Sequence, residues 1–387
     1  MDNYTQRARI MRLVTAAAVT LLIVSETSAF ARAVTTTCPV AEAVVSPEVS
    51  RQSTTATVGM IADRVSSVAS GIGTAGAGEV TTMGVASCGR SDTLVEDTGA
   101  SDGSSISLGQ ASAAETNQGT VAIEHAKPKA ANGIWTSTSA TWIKKTDPSG
   151  EFSGNVITVV AGFDRKVMAD TILGLAVGTE TAFINTHYNK GTIRGRSFSL
   201  APYVGYALTD WLTLDATVGH AWVYYNYTDE SATTEVYSDA HASRWFGSTD
   251  LTAKEHFDSL ILSASAGYMR VSETEKSFLA GTTPVASSAV NVGQLRTQFG
   301  VGYDFVTSWA KLTPSVFVRL QYEVPHQGAS TLATNYVTST DTTSAVFGVS
   351  LDAVIDQVWT LNVVGYTEEF RQNTSARTLG LNARYVF

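Results

Sequence analysis

From about Gly133 to the last residue, Phe387, apolar and polar positions alternate in long runs. In 169–188, Leu173, Leu175 and Val177 share one face, and Gly174, Ala176, Gly178 and Glu180 share the other. In 295–305, Leu295, Phe299, Val301, Tyr303 and Phe305 oppose Arg296, Gln298, Gly300, Gly302 and Asp304. The last stretch, 378–387, sets Leu379, Leu381, Ala383, Tyr385 and Phe387 against Gly380, Asn382 and Arg384, with Val386 as the one break. A period of two predicts strands with two unlike faces. Twelve such segments can be marked: 135–146, 152–164, 169–188, 196–208, 211–227, 242–257, 260–273, 293–305, 309–323, 344–353, 358–370 and 376–387.

The connections alternate in length. Long ones cover 228–241, 274–292 and 324–343; short ones include Thr209-Asp210, Asp258-Ser259, Thr307-Ser308 and Asp356-Gln357. Several strands exceed ten residues, whereas sandwich strands are usually about 5 or 6. A tilted strand that crosses a bilayer needs about 9–11 residues, and in lipid its backbone groups are satisfied only if the sheet closes on itself. Aromatic residues gather near the turns, among them Tyr188, Trp211, Tyr224, Tyr225, Tyr227, Trp309 and Trp359, as in the girdles of such barrels. The fold class expected is all-β: a 12-stranded antiparallel transmembrane outer-membrane β-barrel over 133–387. Its apolar face meets lipid and its polar face lines the lumen. The long connections belong outside the cell and the short ones in the periplasm.

The chain before the barrel has a different character. Arg7, Arg9 and Arg12 precede an apolar run over 13–24, and small residues follow at Ala29, Ala31 and Ala33. That pattern predicts a secretory signal peptide over 1–33. Residues 34–132 contain no aromatic residue and are rich in Ala, Ser, Thr and Gly, which leaves little to build an independent core. This short helical and irregular segment is read as a passenger or linker with a pore helix in it. Val58, Ile61, Val65 and Val68 recur at helical spacing and predict a helix over 55–69. Cys38 and Cys88 both lie in the exported part and are candidates for a disulfide in an oxidising periplasm, the alternative being two unpaired thiols.

Charge and chemistry narrow the function. The net charge is −9 and charged residues make up 16%, low against a usual ~25%, so no nucleic acid partner is expected. Ser66, Ser67 and Ser70 sit on a plain helix face without a nucleophile elbow. The six histidines, His125, His187, His220, His241, His256 and His326, lack metal-ligand spacing. No catalytic residue, metal or cofactor is expected.

Several stretches together resemble a known family: Gly133-Ile-Trp135, Val160-Ala-Gly-Phe-Asp164, Gly174-Leu-Ala-Val-Gly178, Leu200-Ala-Pro-Tyr-Val-Gly-Tyr206 and the closing Gly380-Leu-Asn-Ala-Arg-Tyr-Val-Phe387. Their order and spacing resemble the translocator (β) domain of type V autotransporters of Gram-negative bacteria. The resemblance implies an outer-membrane barrel threaded by a helix, which anchors its own N-terminal passenger and brings it to the cell surface. It implies assembly by the barrel assembly machinery with periplasmic chaperones, amid outer-membrane lipid and lipopolysaccharide. The machinery reads the last strand, here Leu379, Leu381, Tyr385 and Phe387. A monomer is expected. The passenger, at most about a hundred residues, carries no repeat or catalytic motif, so a surface adhesion or structural role and a porin-like channel stay open as alternatives.

Parity directs Gly174, Gly178, Glu180, Asp215, Arg296, Arg319 and Arg384 into the lumen as helix contacts, with Asp164, Asp304, Lys311, Glu323 and Glu368 inward or at strand ends. Two plugs are expected in order of preference. The first is the run over 101–130, which leads directly into the first strand. The second is the helix over 55–69, whose apolar face finds little to bury against in a wet lumen.

Overall fold

The computed structural model describes residues 41–69, 132–146, 150–229, 236–324, 342–355, 358–371 and 373–387. The signal peptide, Cys38, Cys88 and the run over 101–130 lie outside the described residues. One long helix, α1 (Ala41–Ala69), precedes the strands. These are β1 (Asn132–Lys145), β2 (Phe152–Lys166), β3 (Thr171–Thr186), β4 (Gly191–Ala207), β5 (Leu212–Asp229) and β6 (Val236–Phe257). They continue as β7 (Leu260–Glu275), β8 (Ser288–Tyr303), β9 (Ala310–Val324), β10 (Thr343–Ile355), β11 (Trp359–Glu369) and β12 (Thr374–Val386).

Each strand pairs antiparallel with the next, and β1 pairs with β12 from Gly133↔Val386 to Lys145↔Thr374. The ring is therefore closed. Asn132 N–H donates to the Phe387 carbonyl (3.2 Å) and Phe387 N–H to the Asn132 carbonyl (3.0 Å). Closure removes the edge that an open sheet would expose to lipid. The rim where β1 begins and β12 ends is the terminal rim; the other is the loop rim.

The two faces follow the alternation. Leu173, Leu175, Val177, Leu379 and Leu381 point outward and are exposed, while Ala176, Glu180 and Arg384 point inward and are buried. Val386, the apparent break in the last strand, keeps the alternation: it is buried on the inner face between outward Tyr385 and exposed Phe387. The short turns keep tight geometry, with Asp258 (φ 56°) and Lys190 (φ 54°) in the left-handed region. Several strands run further toward the loop rim than the sequence pattern marks. β4 starts at Gly191, β6 at Val236 and β8 at Ser288. Beyond the lipid band the outer face turns polar, as at exposed Arg194 and Arg196, while Ile193 and Ala240 stay buried on the inner face, so the apolar outer face fades while the ladder bonds continue. The connection after β7 also holds a small hairpin, Phe278–Ala280 with Thr283–Val285, and Phe278 stacks on Tyr227 at 5.7 Å.

α1 runs through the lumen. Its 29 residues rise about 44 Å at 1.5 Å each, enough to cross the whole barrel. It starts fourteen residues earlier than the 55–69 helix that the valine spacing predicts. The added turns contain Ser50, Ser53 and Thr54, which are weak helix formers; all three are buried against the wall. Packing against a wall, not propensity, makes most helical stability in proteins. Nor does the lumen deny the apolar face a surface. Val45, Val49, Val58, Ile61 and Val65 are buried in one cluster with Ala176, Ile184, Ala201, Ala221, Val223 and Met269. The inner face of β3–β5 and β7 mixes these aliphatic side chains with polar ones such as Glu180, Ser197 and Glu273, so the helix finds both apolar and polar partners there.

Candidate functional site: a helix clamped in the lumen

Three sets of polar contacts hold α1. Nearest the loop rim, Glu48 and Arg51 lie one turn apart on the helix and meet Glu368 of β11, Glu323 of β9 and Arg371 in the β11–β12 turn. Arg51 forks onto Glu368, Nη1 to Oε1 and Nη2 to Oε2, both at 3.1 Å. It also donates to Glu48 at 2.5 and 3.2 Å. Gln52 Nε2 adds a bond to Glu368 at 3.0 Å, and Arg371 pairs with Glu323 at 2.6 Å. Planar guanidinium and carboxylate forks match, which fixes the rotation of the helix as well as its height.

On another side of the same turns, a second network centres on Arg244 of β6, which is fully buried. Its Nε donates to Glu273 at 2.5 Å and its Nη1 to Glu180 at 3.2 Å. The same Nη1 donates to Ser53 Oγ at 2.6 Å, and Ser50 Oγ donates to Glu273 at 2.6 Å. Tyr225 OH closes the network by donating to Glu273 at 2.8 Å. Taking these charges out of water costs several kcal/mol each; the network compensates by pairing nearly every oxygen and N–H. Its product is position, since serines at 50 and 53 reach these partners at only one height.

At the terminal rim Arg64 donates to Asp164 of β2 from Nε (2.8 Å) and Nη2 (2.6 Å). Arg384 reaches the other Asp164 oxygen at 3.4 Å. Tyr203, itself bonded by Trp135 Nε1 at 2.8 Å, stands beside the same carboxylate. Just below, Val65 sits where a Cβ on Gly205 would lie only 2.1 Å from its Cγ1. Glycine is required at 205 for the helix to come this close.

α1 leans to one side. Between its Gly59–Asp63 face and the wall formed by β6 to β12 and β1 lies a cavity of about 320 Å³, lined among others by Asp63, Asp250, Arg296, Arg319 and Asp352. Arg296 Nη2 donates to both oxygens of Asp250 (2.9 and 2.8 Å), and Asp215 stands opposite Asp250 across the β5–β6 ladder. Arg319 donates to Gln298 (2.9 Å) and lies over Phe317 and Tyr366.

Of the residues that parity directs inward, Glu180 reaches the helix through Arg244, and Arg384 shares Asp164 with Arg64. Arg296 and Arg319 make their hydrogen bonds to the wall. Beside Gly174 the space is filled by the Tyr203 ring, and beside Gly178 by Ser199 Oγ. The principal anchors that sequence reading passes over are Arg51, Arg64, Arg244, Glu273 and Tyr225. The available signal was parity in β6 and β7, which places Arg244 and Glu273 inward. Among the described residues, no group of three or more His, Cys, Asp or Glu is arranged to hold a metal.

The architecture has known counterparts. It is similar to the translocator domain of the autotransporter NalP from Neisseria meningitidis (TM-score 0.52, 11% identity, covering 71% of this chain and 95% of that one). It is also similar to the β-domain of the Bordetella autotransporter BrkA (0.55, 15%, 66% and 100%) and to the transport unit of AIDA-I from Escherichia coli (0.51, 12%, 72% and 97%). At these identities the likeness is one of fold. No match was found among curated proteins. The autotransporter β-domain model matches residues 134–366, well over half of the chain. A closed twelve-strand ring, a helix clamped along its lumen and that match agree: the chain belongs to the autotransporter β-domain family, as a translocator barrel of the outer membrane.

Proposed function

We propose that the barrel holds the segment before α1 at the cell surface and keeps α1 as a resident plug. The observation that carries this is the direction of the helix. Its N-terminal end is bonded at the loop rim, through Arg51 and Glu368, and its C-terminal end at the terminal rim, through Arg64 and Asp164. Long connections mark the loop rim as the cell exterior. Residues preceding α1 then emerge outside once the leader over 1–33 is removed. The chain after α1 starts from the periplasmic rim and re-enters the barrel at Asn132 on that same rim, so residues 70–131 stay in the periplasm.

The remaining partners follow from this reading. The outward Leu379, Leu381, Tyr385 and Phe387 are the signal that the barrel assembly machinery takes from periplasmic chaperones. Outer-membrane lipid and lipopolysaccharide surround a monomeric barrel. The test is an epitope placed after residue 36 and, separately, after residue 100, probed with antibody on intact and on permeabilised cells. The first should be reached on intact cells and the second only after permeabilisation. An epitope at 36 that stays hidden on intact cells refutes the orientation.

A further inference from the structure

The outer wall of β12 and β1–β4 carries an uneven charge. Lys144, Arg194, Arg196 and Arg377 all point outward and are exposed, and among the described residues no Asp or Glu stands on the outer face within these five strands; the flanking acids are Glu369, which ends β11 next to Thr367 facing Arg377, and Glu151, just before β2. None of the four makes a hydrogen bond or ion pair with another described residue. They form two pairs. Arg377 faces Trp142 across the β12–β1 ladder and Lys144 faces Ser375, so Lys144 and Arg377 are diagonal neighbours. Arg194 and Arg196 are successive outward residues of β4. Two strands lie between the pairs, and at their level these show outward Ser153, Asn155 and Asn185 beside Phe183.

Their depth is set by the strands. Lys144 to Ile134, Arg196 to Tyr206 and Arg377 to Phe387 each span ten residues, and each ends on an exposed apolar residue at the terminal rim. At about 3.3 Å per residue and a tilt near 40°, ten residues rise about 25 Å, the height of the apolar band of such barrels. The four basic groups therefore stand at the upper edge of that band. Exposed Ile157, Val159, Val177 and Phe198 lie below them.

We infer that this face binds a phosphorylated glycolipid of the outer leaflet, lipopolysaccharide, whose phosphates take the two basic pairs and whose acyl chains lie along the apolar wall beneath. Guanidinium forks fit phosphate oxygens in pairs. The asparagine and serine side chains between the pairs suit sugar hydroxyls. The inference rests on the loop rim being the cell exterior.

The test uses the refolded full chain in detergent micelles, with bound lipid measured by native mass spectrometry. The probes are lipopolysaccharide, its enzymatically dephosphorylated form, and inorganic phosphate as competitor. Arg194→Gln with Arg196→Gln, and Lys144→Gln with Arg377→Gln, should each lower retention of lipopolysaccharide, and the fourfold variant by at least about ten-fold. Arg165→Gln, an outward arginine at the terminal rim, should retain it as the parent does. Heat-modifiable migration reports folding; if the fourfold variant does not fold, the two double variants decide. Unchanged retention in the folded variants overturns the inference. So does equal binding of the dephosphorylated lipid, or displacement by inorganic phosphate at equal concentration. A wrong membrane orientation would show itself separately, as a hidden epitope at residue 36 in the parent protein.

Discussion

Arg51→Met tests the clamp at its tightest point. The cluster at the loop rim sets three carboxylates, Glu48, Glu323 and Glu368, against two guanidinium groups, Arg51 and Arg371, a net charge of −1. Methionine keeps much of the apolar stem and removes the head, which leaves the cluster at −2. Arg51 supplies two bonds to Glu368 and two to Glu48. Removing one partner of a buried pair costs about 3–5 kcal/mol, mostly from the charge left behind. Glu368 still has Gln52 at 3.0 Å and Arg371 at 3.8 Å, so we predict the lower end, about 3 kcal/mol. Adding Glu368→Gln removes the stranded charge and should recover about 1–2 kcal/mol of the loss. The assay is a urea titration of the refolded chain followed by heat-modifiable migration, paired with single-channel conductance to report helix release. A single variant within about 0.5 kcal/mol of the parent, or a double variant less stable than the single, refutes the reasoning.

Three further outcomes follow. Gly205→Val should strain the helix against the wall and cost about 1–3 kcal/mol; Val65→Ala in the same chain should restore part of the loss, and a lack of coupling between the two in a double-mutant cycle counts against the contact. Deleting residues 41–69 should raise single-channel conductance strongly, whereas deleting 101–130 should leave it near the parent value; the reverse order would make the run before β1 the plug. Phe387→Ser should lower the outer-membrane level of the barrel and leave periplasmic fragments, and an unchanged level of heat-modifiable barrel would remove the last strand from the assembly signal.

The sequence by itself determined the barrel. A strand with lipid on one side and water on the other must alternate strictly, and a slip of one residue would turn every side chain to the wrong face. The pattern in Leu173–Glu180 and in Leu379–Phe387 therefore reads directly as outside and inside, and twelve such strands place themselves. Inward charge was legible for the same reason: Glu180, Arg296 and Arg384 could not face lipid without cost. Their partners were not legible. Arg51 and Glu368 are 317 residues apart and Arg64 and Asp164 are 100 apart; parity says that a group faces the lumen, while only closure of the ring says what stands across from it. The helix shows the same division. The spacing of Val58, Ile61 and Val65 reads as helix, but the serines and threonines before it give no helical signal, because their preference for helix is weak. Only a wall that buries Val45 and Val49 and bonds Ser50 and Ser53 turns that stretch into the first half of α1.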